Sequence, residues 1–234
     1  MPAYIPLVPG VKTGLPREFD PESASADHAY QNLRMRALVR DRFTCRGCGF
    51  QTKPDKSAAS TTLAASGYLE VHHADNNHRH NDLENLISLC PFCHSIQHLG
   101  ISASQGRIAL IIMPWLTQPQ INLLSNLVSV AMAREGDTLP AAARELYQRL
   151  SELHHLVPEV YGEDAADASV MAGALAYLQK NYPDLYGKRQ NGLRHLRILP
   201  RLEAYPKAIS WWSGHAWLPG AEWEKAWYGI SEQA

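Results

Sequence analysis

The sequence predicts an α+β protein in which a small metal-stapled module is extended by a mainly α-helical C-terminal region. Three observations lead there. All four cysteines fall into two C-x2-C pairs, Cys45 with Cys48 and Cys90 with Cys93. Two short strand-like runs, "GYLEVHH" and "GRIALIIMP", lie close to those pairs. Beyond them, leucines recur at helical spacing. The 234 residues are 45% hydrophobic, enough to bury a core, and fit one domain with appendages or two small ones. The expected division is an extended segment over 1–26, the metal module over 27–113 with a flexible insertion at 51–66, and a helical region with a Trp-rich tail over 114–234.

Composition narrows the function classes. Lys plus Arg number 22 against 23 for Asp plus Glu, so no global positive field draws the chain to nucleic acid or anionic lipid. The proline-rich opening has no apolar run suited to a signal peptide, and no stretch of about 18 apolar residues suggests a membrane span. A cytoplasmic protein without direct membrane insertion is therefore expected. In such a chain paired cysteines point to metal before disulfide.

Along the chain, Tyr30, Leu33, Ala37 and Leu38 repeat at helical spacing, and Asp27 is placed to cap the helix that leads into the first cysteine pair. Arg34, Arg36, Arg40, Arg42 and Arg46 make this stretch locally basic, which admits either a solvated helix face or a contact to phosphate or an acidic partner. The segment "QTKPDKSAASTTLAASG" has no periodicity and reads as an insertion. "GYLEVHH" then predicts a strand, "ADNNHRHND" a polar turn, and the residues after Pro91 a short helix with His94 and His98 on one side. "GRIALIIMP" predicts a buried strand, and Thr117 with Gln120 forms a capping box opening the next helix.

The remainder predicts helices, with Leu146, Leu150, Leu153 and Leu156 marking one amphipathic stretch and Val170, Leu175 and Leu178 another. Five acids and no Lys or Arg lie between Ser151 and Gln179, and six Lys or Arg against Glu203 follow from Tyr186 to Lys207. These blocks either attract each other or face different partners. Five of the six tryptophans, Trp211, Trp212, Trp217, Trp223 and Trp227, fall in the last 24 residues. Such a cluster docks on its own core or is covered by another protein.

Zinc takes four tetrahedral ligands, and two C-x2-C turns each bring two sulfurs to one ion. Cys45, Cys48, Cys90 and Cys93 are therefore expected to hold a structural Zn(II), whose apparent binding free energy of about 10–16 kcal/mol decides whether so small a module folds. His72 and His73 close a strand, so alternation turns them to opposite faces. His94 follows a zinc ligand and is aimed back toward the strand end, while Asn85 lies where its amide can hold an imidazole. His78, His80 and His98 read as solvent-facing or supporting residues.

The stretch from Phe43 to Leu99, with "CRGC", "EVHHADNNHRHNDLENLISLC" and "PFCHSIQH", resembles an HNH module of the ββα-metal type. That resemblance implies that His72 and His94 ligate a divalent cation such as Mg(II), Mn(II) or Ni(II), that His73 is a general base for water, and that Asn85 orients His73. It covers about a quarter of the chain. A looser similarity runs from about Tyr30 to Trp212 through "YQNLRMRALVRDRFTCRGCGF", "LENLISLCPFC", "IIMPWLTQPQINLLSNLVSVAMA" and "RILPRLEAYPKAISWW", and it is to the DotN/IcmJ family of type IVB secretion subunits. It implies an HNH-like fold with structural zinc, in a cytosolic adaptor or scaffold peripheral to the inner membrane, held in a coupling complex with a coupling ATPase and effector adaptors. The secretion subunits carry an eroded histidine set, whereas His72, His73, Asn85 and His94 are complete here. Metal-dependent DNA endonuclease activity is therefore the alternative, and simple nucleic-acid binding through the arginines the third reading.

Overall fold

Apolar residues at helical spacing from Tyr30 to Leu38 bury one side of the first helix, α1 (Ser23–Arg40), with Ala37 and Leu38 fully inaccessible. The computed structural model describes residues 5–12, 23–77, 79–134 and 138–216. Helix α1 starts at Ser23, so Asp27 lies inside it rather than at its cap, and helix already occupies the end of the segment expected to be extended.

Two short antiparallel pairs follow. Strand β1 (Glu70–His73) pairs with β2 (Leu86–Leu89) in the register Glu70 to Leu89 and His73 to Leu86. Then come α2 (Pro91–Gln97) and α3 (Leu99–Ser104). Strand β3 (Ile108–Ile112) pairs with β4 (Leu196–Pro200), nearly ninety residues on, with Leu110 opposite Ile198. Between them lie α4 (Gln118–Met132), α5 (Thr138–Glu152), α6 (Leu156–Tyr161), α7 (Ala168–Asn181), α8 (Pro183–Gly187) and α9 (Arg189–Gly192), and α10 (Pro206–His215) ends the described chain. The molecule is thus α+β, with helices packed round two small ribbons.

One local expectation is met in detail. The capping box opens α4: the Thr117 backbone N–H donates to Gln120 Oε1 at 2.8 Å. Within 51–66, the stretch read from sequence as a flexible insertion, Asp55 N donates to Ala64 O at 2.9 Å and Ala65 and Ser66 are buried. Other expectations are corrected. "LRILP" forms β4 inside the region read as mainly helical, where no strand was expected. On α7 it is Met171, Ala172 and Leu175 that face the core, while Val170 is 46% exposed.

The basic stretch is partly consumed internally. Arg34 is buried and donates to the Ser60 and Leu69 carbonyls. Arg40 donates to Leu83 O at 2.6 Å and Leu86 O at 2.7 Å, and grips Asp41 with a second pair of bonds. The buried Asp41 in turn accepts from Ser88 N at 3.1 Å. These arginines tie α1 to the β1–β2 ribbon.

The two regions expected on either side of residue 113 share one core. Beyond the β3–β4 pairing, α10 drives Trp212 against Phe50 and Phe92 at ring separations of 5.0 and 5.5 Å, with zero exposure, and its indole N–H donates to Gly67 O at 3.1 Å. Trp211 stacks on His215 and donates to Lys53 O. The first two tail tryptophans therefore dock on the chain's own core, and Trp217, Trp223 and Trp227 lie outside the described residues. Trp212→Ala is expected to cost about 3–5 kcal/mol, the range for emptying a large aromatic site, read as a lowered urea midpoint for the zinc-loaded protein. A midpoint unchanged from the parent would show that the indole does not hold the two regions together.

Candidate metal centres

Cys45 and Cys48 sit on a tight turn closed by a Thr44–Gln51 bridge, in which Cys45 N donates to Phe50 O and Gly49 N to Cys45 O, both at 2.8 Å. Gly49 has φ of 82°, a left-handed conformation that glycine adopts without steric cost. A side chain at Gly47 would place its Cβ 2.9 Å from Cys93 Sγ and 3.1 Å from Leu7 Cδ2, so glycine there lets the turn close onto α2. On the other side Cys90 is the N-cap of α2, with Pro91 preset at the first helical position and Cys93 in the first turn.

The four sulfurs are buried and lie within 4.8 Å of one another, with Cys48 and Cys90 Sγ 3.8 Å apart. Sulfurs bound at about 2.3 Å in a tetrahedron stand about 3.8 Å from each other, so this donor set fits a structural zinc ion. Burial pushes the Cys48 and Cys93 thiols well up. At Cys45 burial acts the same way but is outweighed by hydrogen bonds from Cys48, Cys90 and Cys93, and its thiol lies well below the ordinary value.

Helix α4 supplies something the sequence reading missed. Its buried residues include Gln118, Asn122, Ser125, Asn126 and Ser129, an inward polar stripe at helical spacing. Asn122 Nδ2 donates to Cys93 Sγ at 3.2 Å, and Asn126 Nδ2 lies 3.5 Å from Cys90 Sγ, 3.8 Å from Cys48 Sγ and 2.8 Å from Asn122 O. Amide N–H groups aimed at sulfur stabilise thiolate and hold its direction, as outer partners of metal ligands do. The spacing Asn122-x3-Asn126 within an apolar helix was the available signal.

The histidines form a second group. Strand alternation sends Glu70 and His72 to one face of β1, and His72 meets His94 and His98 there at ring separations of 5.4 and 5.2 Å; His94 and His98 are 4.5 Å apart. One nitrogen from each of the three lies within 4.8 Å of the others. His98, read from sequence as supporting, is brought to the centre because α2 and α3 join at it, one helical turn beyond His94. Burial first, then the charges of His94 and His98, pushes His72 down to about 3. It is therefore a neutral imidazole at physiological pH, the form in which histidine ligates metal.

His73 points the other way, as alternation predicted. It is 3% exposed, stacks against Tyr30 at 5.4 Å, and its Nε2 donates to Asn81 Oδ1 at 2.8 Å. The partner expected at that ring, Asn85, is otherwise engaged: both its amide protons are taken, by Asp75 Oδ1 at 2.9 Å and His80 O at 2.8 Å, and its Oδ1 accepts from Asp75 N. Asn85 fixes the loop between β1 and β2, and Asn81 engages His73. His80 is held in that loop between Asp75 and Asp82, and His78 lies outside the described residues.

The fold and these centres define a class: an α+β protein whose core is built round a four-cysteine cluster, with a three-histidine group on the adjoining face. No family model matches the chain. Across 193 residues, however, it is 24% identical to the Type 4 apparatus protein DotN of Legionella pneumophila, a stretch that makes up 81% of this chain and 82% of that protein. Among the described residues no helix is long and apolar enough to cross a membrane.

Purified protein is expected to carry one zinc per chain on the cysteines. Cobalt replacement should give the intense sulfur-to-metal charge-transfer bands of a four-thiolate site. Asn122→Leu should keep those bands while weakening zinc retention against a chelator about 10–100-fold, whereas Cys90→Ser should abolish them. Unchanged retention in Asn122→Leu would remove the asparagine from the site's support.

Proposed function

We propose that this protein is a zinc-stapled HNH-fold adaptor or scaffold subunit in the coupling complex of a type IVB secretion or conjugation system. The observation that carries this reading is the similarity to a type 4 apparatus protein along four-fifths of both chains. In this reading the chain is cytoplasmic, peripheral to the inner membrane through its complex, and its partners are a coupling ATPase and adaptor proteins.

The geometry supports a scaffold. Zinc on Cys45, Cys48, Cys90 and Cys93 would supply a rigid cross-link, while Asn122 and Asn126 hold the sulfurs and Trp212 packs on Phe50 and Phe92, neighbours in sequence of the cysteines. Val160, Val170, Tyr177, Tyr182 and Leu185 stand 46–59% exposed on and beside α6 to α8, as expected of a surface that another protein covers. Two of the arginines considered for phosphate binding, Arg34 and Arg40, are spent on backbone carbonyls.

A second reading is favoured by one observation, the convergence of His72, His94 and His98: a metal-dependent HNH endonuclease acting on DNA. A cation held there would polarise a phosphate and stabilise a departing oxygen. Three imidazoles suit Ni(II) or Zn(II) better than Mg(II) or Mn(II), which prefer oxygen. His73 would take the proton from water, but its ring is 3% exposed, stacked on Tyr30 and with Nε2 against Asn81 Oδ1, which leaves little room for a water to reach it. The scaffold reading therefore stands first.

The full-length protein is expected to co-purify with a coupling ATPase of the same secretion system, and His73→Ala should leave that association within about twofold, a change of only about 0.4 kcal/mol. In a plasmid-nicking assay across Mg(II), Mn(II), Ni(II) and Zn(II) no cleavage is expected. Absence of the ATPase from the complex, together with nicking that disappears in His73→Ala, would replace the scaffold by the nuclease.

A further inference from the structure

On β1 the residue two positions before His72 shares its face, so Glu70 looks toward the same space as the three histidines. Its Oε2 accepts a hydrogen bond from His94 Nδ1. Both groups are partly covered, with side-chain exposures of 35% for Glu70 and 25% for His94. We infer that Glu70 fixes His94 in the tautomer whose bare Nε2 is offered to the space shared with His72 and His98, which makes Glu70 a positioning residue of the histidine centre. The inference rests on reading that centre as a cation site.

A neutral imidazole has one protonated nitrogen and one lone pair, so whatever binds the proton decides which nitrogen can ligate. With Nδ1–H committed to Glu70, Nε2 is left as the ligand atom of His94. A carboxylate on the far nitrogen also raises the basicity of the near one and stops the ring from turning. Glu70 suits this task because its carboxylate oxygen lies against His94 Nδ1 and its place on β1 keeps it on the face of His72. The carboxylate thus comes from β1 and the imidazole from α2, so the bond can form only when ribbon and helix are docked.

A merely structural tie between β1 and α2 would not set the tautomer, and that is what the test reads. Full-length, zinc-loaded protein with 15N-labelled histidine, observed near pH 8 to keep free imidazoles neutral, should show His94 as Nδ1–H with a bare Nε2, assigned by its loss in His94→Gln. In Glu70→Ala the signal should move toward the Nε2–H form, while Glu70→Gln, which keeps a carbonyl acceptor, should retain the wild-type pattern. In parallel, Co(II) added after the cysteine site is filled should bind the histidines about 10–100-fold more weakly in Glu70→Ala, with zinc content unchanged. A wild-type His94 found as Nε2–H, or a tautomer indifferent to Glu70→Ala, overturns the inference. A wild-type protein that takes up no second cation instead overturns the reading of the centre as a metal site, and the nitrogen spectra still decide what Glu70 does.

Discussion

Everything in this molecule hangs on the approach of two cysteine turns from opposite sides of a small core. Neither turn is stable by itself. The Cys45–Cys48 loop is a bend held by two backbone hydrogen bonds, and α2 has only seven residues, too short to persist alone in water. Gly47 removes the one side chain that would keep them apart. Once they meet, the sulfurs stand at metal-ligand spacing, and the surrounding residues can be understood as lids over that junction. Helix α4 closes it with amides, α10 with an indole, and the N-terminal segment with Leu7.

Helix α2 carries both centres. Cys90 and Cys93 face the thiolate cluster while His94, immediately after, faces the ribbon, and His98 follows where α2 gives way to α3. The position of the histidines is therefore set by the geometry of the sulfurs. Strand β1 divides the other side in the same economical way: Glu70 and His72 look to α2, whereas Val71 and His73 look to α1, where the Tyr30 hydroxyl donates to Val71 O at 2.9 Å. One helix turn and one strand pleat thus separate a four-cysteine cluster, a three-histidine group and a buried imidazole.

What was legible in the sequence was what depends on local spacing. Two C-x2-C pairs specify their chemistry without knowledge of the fold, and consecutive histidines at a strand end must diverge because strands alternate. What escaped depends on tertiary placement. β4 is five residues in a basic stretch, and its strand character comes from pairing with β3 rather than from propensity. Asn122 and Asn126 gain their meaning only from the sulfurs that the fold brings against them. Asn81 and Asn85 sit in one polar loop, and only its folded path decides which amide meets His73. Helical spacing already sets His94 and His98 on one side, but only the docking of α2 against β1 shows that His72 joins them and that His98 belongs to the group.

The β3–β4 pairing has a consequence for the order of events during synthesis. All four thiols have been made by residue 93, but the partner of β3 arrives only at residues 196–200 and the indole that covers Phe50 and Phe92 at residue 212. Long-range pairings of this kind close late, because the intervening chain must first be ordered. A nascent chain can therefore gather its cysteines while an aromatic surface beside them still lies open to solvent. That interval is when it is most prone to stick to other chains or to need a chaperone, and early metal capture would shorten it.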